Sequence, residues 1–269
     1  VSGQTSSKQV NHHESVEFDR VRQIISLLDL TNLNDDCDQA SIDSLCSLAS
    51  TPVAQVAAIC VWPEFVSHAR QCLGMNSDIE IATVVNFPAG NENASQVCAM
   101  IEKSLANGAT EIDYVMPYAA LIEGKSEEVS RAISTVRKNT PDTIRLKIIV
   151  ESGILAKKPL IQLASRIAID EGADFIKTST GKVPIHATLD AASNMLEVIA
   201  AAGGNVGFKA SGGIKSVQQA CKYLELAENM LGADWVNTSH FRFGASGLLH
   251  DALKHIEVVK VESGGKSDY

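Results

Sequence analysis

Residues 172–183 read GADFIKTSTGKV. A glycine-alanine step is followed by a polar residue, a short apolar run and then Lys177, with three hydroxyl residues, a glycine and a second lysine behind it. The same joint recurs as Gly108-Ala109 and Gly232-Ala233, each followed by a polar residue and then a stretch that reads as a strand. A glycine in this place supplies the left-handed residue that ends a helix. The segment is thus one copy of a repeated helix-to-strand unit. Lys177 stands where a buried parallel strand ordinarily carries another aliphatic side chain. Burying an ammonium costs several kcal/mol unless it is paired or gives up its proton, and lysine is the side chain that most readily does the latter.

Working outward, eight short apolar runs read as strands: 26–31, 56–62, 79–87, 111–116, 145–151, 174–179, 206–211 and 233–239. Their interiors are nearly continuous in Val, Ile, Leu and Ala, as expected of parallel strands covered on both faces. The stretches between them carry helix signals. SVQQACKYLELAENML opens on Ser216 with Gln219 three residues on, a capping box. SEEVSRAISTVRKN has acids in its first turn and bases in its last, which suits the helix dipole. Eight β-α units in about 250 residues predict an α/β fold, a single-domain (β/α)8 TIM barrel over 16–257. It is flanked by a polar tail at 1–15 and a flexible tail at 258–269. An open doubly wound sheet is the alternative, but the G-x-G-x-x-G turn that usually announces it is missing from the sequence.

Composition narrows the partners. With 23 Lys and Arg against 32 Asp and Glu, the net charge of −9 disfavours nucleic acid and anionic membranes. An anionic substrate would need a local positive site. The six cysteines form no C-x-x-C pair and read as reduced thiols of a cytoplasmic protein rather than metal ligands. No apolar run reaches the length of a membrane span. His12 and His13 lie in the polar N-terminal stretch and carry no further expectation.

In a barrel of this type, chemistry sits at the C-terminal ends of the strands. Polar groups gather there: Asp29, Asn86, Asp113, Lys147, Glu151, Lys177, Lys209, and the hydroxyls of Thr178, Ser179 and Thr180. Lys177 and Lys209 each sit inside an apolar strand on adjacent strands, which lie about 4.8 Å apart. Burial and like-charge repulsion both push a lysine pKa down, and a fall from about 10.4 to near 7 takes roughly 4 to 5 kcal/mol. The product is a neutral amine able to form a Schiff base. The spacing is equally compatible with each lysine pairing structurally with a carboxylate such as Asp113 or Glu151.

The stretches DLTNLND (29–35), AAICVWP (57–63), ATVVNFPAGN (82–91), EIDYVMPY (111–118), DFIKTSTGKV (174–183), GFKASGGI (207–214) and FRFGAS (241–246) together resemble the 2-deoxyribose-5-phosphate aldolases. These are class I, metal-independent lyases on a (β/α)8 barrel. The resemblance runs in order from about residue 20 to Tyr269. It implies reversible cleavage of 2-deoxy-D-ribose 5-phosphate to acetaldehyde and D-glyceraldehyde 3-phosphate, in deoxynucleoside catabolism, with no cofactor and no metal. By this resemblance Lys177 is the Schiff-base lysine, Lys209 the second lysine that lowers its pKa, and Asp113 the proton relay. Tyr269 assists proton exchange, swinging on Gly264 and Gly265. Asp29, Thr31, Lys147, Thr180, Gly181, Lys182, Gly212, Gly213, Gly244 and Ser246 are implied to bind substrate, the glycine-bearing loops chiefly its phosphate. A homodimer is the assembly expected. Two departures stand out: Gly247 replaces the second serine of a pair, and Ala210-Ser211 stands where other members carry Pro-Ala.

Overall fold

The computed structural model describes residues 17–264. Its strands are β1 (Leu28–Asn32), β2 (Ala58–Val61), β3 (Glu80–Val85), β4 (Glu111–Val115), β5 (Arg145–Ile149), β6 (Phe175–Lys177), β7 (Gly207–Ser211) and β8 (Phe241–Ala245). Each runs parallel to the next, and β8 closes onto β1 through Leu28 opposite Phe243 and Asp29 opposite Gly244. The helices are α1 (residues 17–26), α2 (Gln39–Leu48), α3 (Val66–Leu73), α4 (Ala94–Ala106), α5 (Tyr118–Ile122), α6 (Ser126–Lys138), α7 (Ser152–Leu155), α8 (Lys158–Asp170), α9 (Leu189–Ala201), α10 (Val217–Leu231) and α11 (Leu248–Gly264). The expected (β/α)8 barrel is therefore the fold. No helix among the described residues is long and apolar enough to cross a membrane.

The repeated joint has the predicted geometry. Gly108, Gly172 and Gly232 take φ of 98°, 87° and 95°, where a side chain would be strained. After Gly232, however, the expected strand at 233–239 does not form. Ala233–Trp235 is a single 3₁₀ turn, the Trp235 indole donates to the Gly204 carbonyl at 2.7 Å, and Asn237 bonds the Asp234 carbonyl and the Ser239 amide. Side chains that bond nearby backbone favour a turn over a ladder. The eighth strand is instead FRFGA, whose Phe241 and Phe243 rings pack 4.9 Å apart in the core outside the barrel. Its Arg242 points inward.

Two helix details also differ from expectation. Ser216 does cap α10, accepting from the Gln219 amide at 3.2 Å, but the Gln219 carbonyl oxygen accepts from Lys215 rather than Ser216, so the box is half formed. A full capping box occurs at Asn93 and Gln96, at the start of α4. Helix α11 continues to Gly264, beyond the expected boundary at 257, with Gly264 as its last residue. The 1–15 tail, Gly265 and Tyr269 lie outside the described residues.

The packing splits by side. Outside the strands, Ile112, Ile148, Ile176, Phe208, Phe241 and Phe243 are fully buried against the helices. Inside, β2 and β3 contribute the small apolar cluster of Cys60, Ala82 and Val84, closed by Leu33. The remaining strands fill the barrel with charge.

Candidate active site

Alternation along β4 places Glu111 and Asp113 on the inner face and Ile112 and Tyr114 on the outer one. Register then sets the neighbours: Asp113 opposite Lys147, Lys177 opposite Lys209, and Lys209 opposite Arg242. The two lysines anticipated as neighbours are adjacent residues of adjacent strands.

Among the described residues, the barrel interior buries the carboxylates Asp29, Glu111 and Asp113 and the cations Lys147, Lys177, Lys209 and Arg242. Asp113 is the hub. Its Oδ1 accepts from Lys147 at 2.8 Å, and its Oδ2 from both Lys177 at 2.7 Å and Lys209 at 2.8 Å. Lys209 also contacts Asp29, while Lys147 lies 2.5 Å from Glu111 and 3.2 Å from Asp29. Arg242 donates to Asp29 at 2.6 Å and to Glu111 at 3.1 Å. Half-buried Arg145 also pairs with Glu111, and both arginines lie 5.7 Å from the Phe175 ring centre.

This network separates the lysines. Burial works against the charge on all three. Lys147 is surrounded by Asp113, Asp29 and Glu111, and its pKa rises above the ordinary lysine value. For Lys209 burial is likewise outweighed, by Asp113 and Asp29, and its pKa is raised. Lys177 shares a single carboxylate oxygen with Lys209; burial first, and the Lys209 charge in addition, push its pKa down. Second-lysine repulsion thus contributes, but burial is the larger cause. The three carboxylates are held below their usual range, each against its own burial cost: Asp113 by Lys147, Lys177 and Lys209, Asp29 chiefly by Lys147 and Lys209, and Glu111 chiefly by Lys147 and Arg242. Three buried carboxylates thus face four buried cations, and Lys177 is the one lysine of the three whose pKa is lowered. The structural pairing left open by the sequence does occur: Lys177 and Lys209 both bond Asp113 Oδ2. What sets Lys177 apart is that its pKa is lowered while that of Lys209 is raised.

Above this layer lies a cavity of about 490 Å³. It is lined by Thr31, Thr180, Gly181, Lys182, Gly212, Gly213, Gly244 and Ser246, all anticipated, and by His186, Ser211 and Gly247 among others. Thr31, Ser211 and Gly244 come two residues after Asp29, Lys209 and Arg242, about 7 Å further along their strands. Asp29 and Lys147, also expected at substrate, do not line it; both are fully enclosed in the ionic layer. Inward residues at their height meet other strands rather than the mouth.

The loops are fixed from beneath. Glu151, in the left-handed region at φ 54°, accepts from the Thr180 amide, and the Thr178 hydroxyl bonds both the Ser211 carbonyl and amide. Lys182 reaches outward to Asp35 at 2.8 Å and over the Trp62 ring. His186 sits against Gly212, with its Nδ1 buried and without a hydrogen-bond partner among the described residues. A Cβ at Gly212 would come within 2.6 Å of that nitrogen, and φ there is +85°.

Gly244 has a different reason to be glycine. A Cβ on it would lie 2.6 Å from the Ser211 hydroxyl and 3.0 Å from Cε of Lys209. We expect Gly244→Ala to displace Lys209 and to destabilise by about 1 to 3 kcal/mol; chemical denaturation, with the pH dependence of turnover measured alongside, checks it. Unchanged stability and pH profile would show that the lysine stem is not held there.

Sequence reading missed Arg242, Glu111 and His186. The first two carried a usable signal: Glu111 lies two residues before Asp113, hence on its face, and Arg242 alternates with two phenylalanines. His186 lies in a loop and carried none.

Comparison with known proteins agrees with this geometry. The sequence model of the DeoC/LacD family aldolases matches residues 23–250. Deoxyribose-phosphate aldolase of Agrobacterium fabrum is 47% identical over 257 residues, covering 93% of this chain and 99% of that one. A Coccidioides immitis structure with the provisional name deoxyribose-phosphate aldolase is 28% identical, with a TM-score of 0.76 and 87% of each chain covered. Deoxyribose phosphate aldolase from Aeropyrum pernix, 21% identical over 91% of this chain and 96% of its own, shares the fold at a TM-score of 0.70. A barrel that buries Lys177, Lys209 and Asp113 in one ionic cluster, carried on a sequence this close to these relatives, belongs to the DeoC/LacD family of aldolases.

Proposed function

We propose that the chain is a deoxyribose-phosphate aldolase, acting as a homodimer, that cleaves 2-deoxy-D-ribose 5-phosphate into acetaldehyde and D-glyceraldehyde 3-phosphate. What supports the reading most is the placing of Lys177, buried in the barrel and sharing the Asp113 Oδ2 with Lys209, where burial and that second cation lower its pKa. A neutral Lys177 attacks the C1 aldehyde, and loss of water from the carbinolamine leaves an iminium. Removal of the C3 hydroxyl proton breaks the C2–C3 bond. The electron pair flows into the iminium to give an enamine, and C3 becomes the aldehyde of the phosphorylated product. Protonation at C2 and hydrolysis then release acetaldehyde and restore the amine.

Asp113 is a poor proton acceptor on its own, because the lysines around it, Lys147 foremost, hold its carboxyl well below the usual carboxylate range. Its role in this reading is to stabilise the positive iminium nitrogen and to order the water that carries protons to and from the carbinolamine. The phosphate belongs in the cavity over β7 and β8, where glycine-bearing loops expose backbone amides and α11 begins just beyond Ser246. His186 lines the cavity with a ring nitrogen that has no partner among the described residues, and the Lys182 ammonium reaches it by turning away from Asp35. Among the described residues a Cβ at Gly247 would meet nothing within 4 Å, so none of them takes the place of the serine this position lacks.

Acetaldehyde release from 2-deoxy-D-ribose 5-phosphate tests the reading directly. We expect kcat/KM for it to exceed that for unphosphorylated 2-deoxyribose by about 100-fold or more, since the phosphate contacts are charge-assisted. Failure to release acetaldehyde from either sugar would refute it.

A further inference from the structure

Helices α2 and α3 pack side by side on the outside of the barrel, and their sequences DSLC (43–46) and HARQC (68–72) bring unlike donor atoms together. His68 and Cys72 are four residues apart on α3 and therefore share a face. Asp43 of α2 faces them. The His68 Nε2 lies 2.8 Å from the Asp43 Oδ1, the Cys72 Sγ lies 3.2 Å from the same oxygen, and 3.6 Å separates Sγ from Nε2. The Cys46 thiol adjoins that of Cys72 on the buried side. Toward solvent the group is open, the Asp43 side chain being 60% exposed.

We infer that Asp43, His68 and Cys72 form a surface site for a divalent transition-metal ion of the zinc type. A tetrahedral zinc bound by carboxylate, imidazole and thiolate requires donor atoms about 3.3 to 3.6 Å apart. The present separations reach that range when the carboxylate and imidazole part by about half an ångström, a small rotation for an exposed aspartate. The donor set excludes the hard cations: thiolate and imidazole select zinc, copper, cobalt or nickel over magnesium or calcium. Binding forms a metal–sulfur bond and releases the Cys72 thiol proton to solvent. None of the three residues lines the substrate cavity, so the ion would clamp α2 to α3 without entering the aldol chemistry. The competing account is a surface ion pair between His68 and Asp43 with a thiol donating to it.

Co²⁺ titration of the full, metal-free, reduced protein distinguishes the two. A thiolate-to-cobalt charge-transfer band in the near ultraviolet, saturating at one equivalent and lost in both Cys72→Ser and His68→Ala, is the expected result. Zn²⁺ should bleach that band and raise Tm by about 5 °C at a hundredfold excess over its Kd, with no rise in Cys72→Ser, whose sugar-phosphate cleavage stays at the wild-type rate. A wild-type spectrum without the band, or a band retained in either variant, overturns the site.

Discussion

Lys177→Ala is expected to abolish cleavage, lowering kcat/KM by roughly 10⁴-fold or more, because the covalent route is lost along with its electron sink. Lys177→Arg should be as inactive, since guanidinium remains protonated and forms no Schiff base. Borohydride reduction of the wild-type enzyme with acetaldehyde should add a covalent adduct to the peptide containing Lys177, and neither variant should be labelled there. The prediction separates Lys177 from its neighbour across the β6 and β7 register. Lys209 is closer to two carboxylates and keeps its proton, so it should not be trapped. An adduct on Lys209 or Lys182, with Lys177→Ala still turning over, would reverse the assignment.

Lys209→Met tests the electrostatics rather than the nucleophile. Methionine fills much of the space of the lysine stem beside Gly244 but removes the charge. Lys177 then faces Asp113 without a competing cation on Oδ2, and its ammonium form is stabilised. Turnover follows the neutral fraction of Lys177, which grows as pH rises through its pKa. Raising that pKa shifts the alkaline-going limb of the pH profile to higher pH, by about 1 to 2 units. At neutral pH the loss is about 10- to 100-fold, with partial recovery in alkaline buffer. Removing one partner of a buried charge cluster also costs about 3 to 5 kcal/mol of stability, so circular dichroism must accompany the kinetics. A folded variant whose profile stays at the wild-type position would leave burial alone as the cause of the Lys177 shift.

Several features of this protein follow from local sequence. Glycine after a helix forces the chain round at Gly108, Gly172 and Gly232, and continuous Val and Ile runs mark strands covered on both faces. Repetition of that unit leaves few architectures other than the barrel, and the order of motifs around Lys177, Lys209 and Asp113 leads to the family. These signals are short-range: a helix stop or an apolar run is written within a few neighbouring residues. The eighth strand escaped the same reading because ADWVNTS has the residue types of a strand, while the Asn237 side chain bonds the Asp234 carbonyl and the Ser239 amide once Gly232 has turned the chain.

Tertiary structure decided which charges meet. Alternation alone turns Arg242 and Glu111 inward, but only the closure of β8 onto β1, with the stagger that closure imposes, puts them against Asp29 and Lys147. The pKa of Lys177 could not be fixed from the spacing of two lysines, because its sign depends on how three carboxylates, drawn from β1 and β4, are divided among four cations from β5 to β8. A Coulomb interaction in a dry interior depends on distances between strands that are remote in sequence. Those distances exist only after the barrel has closed.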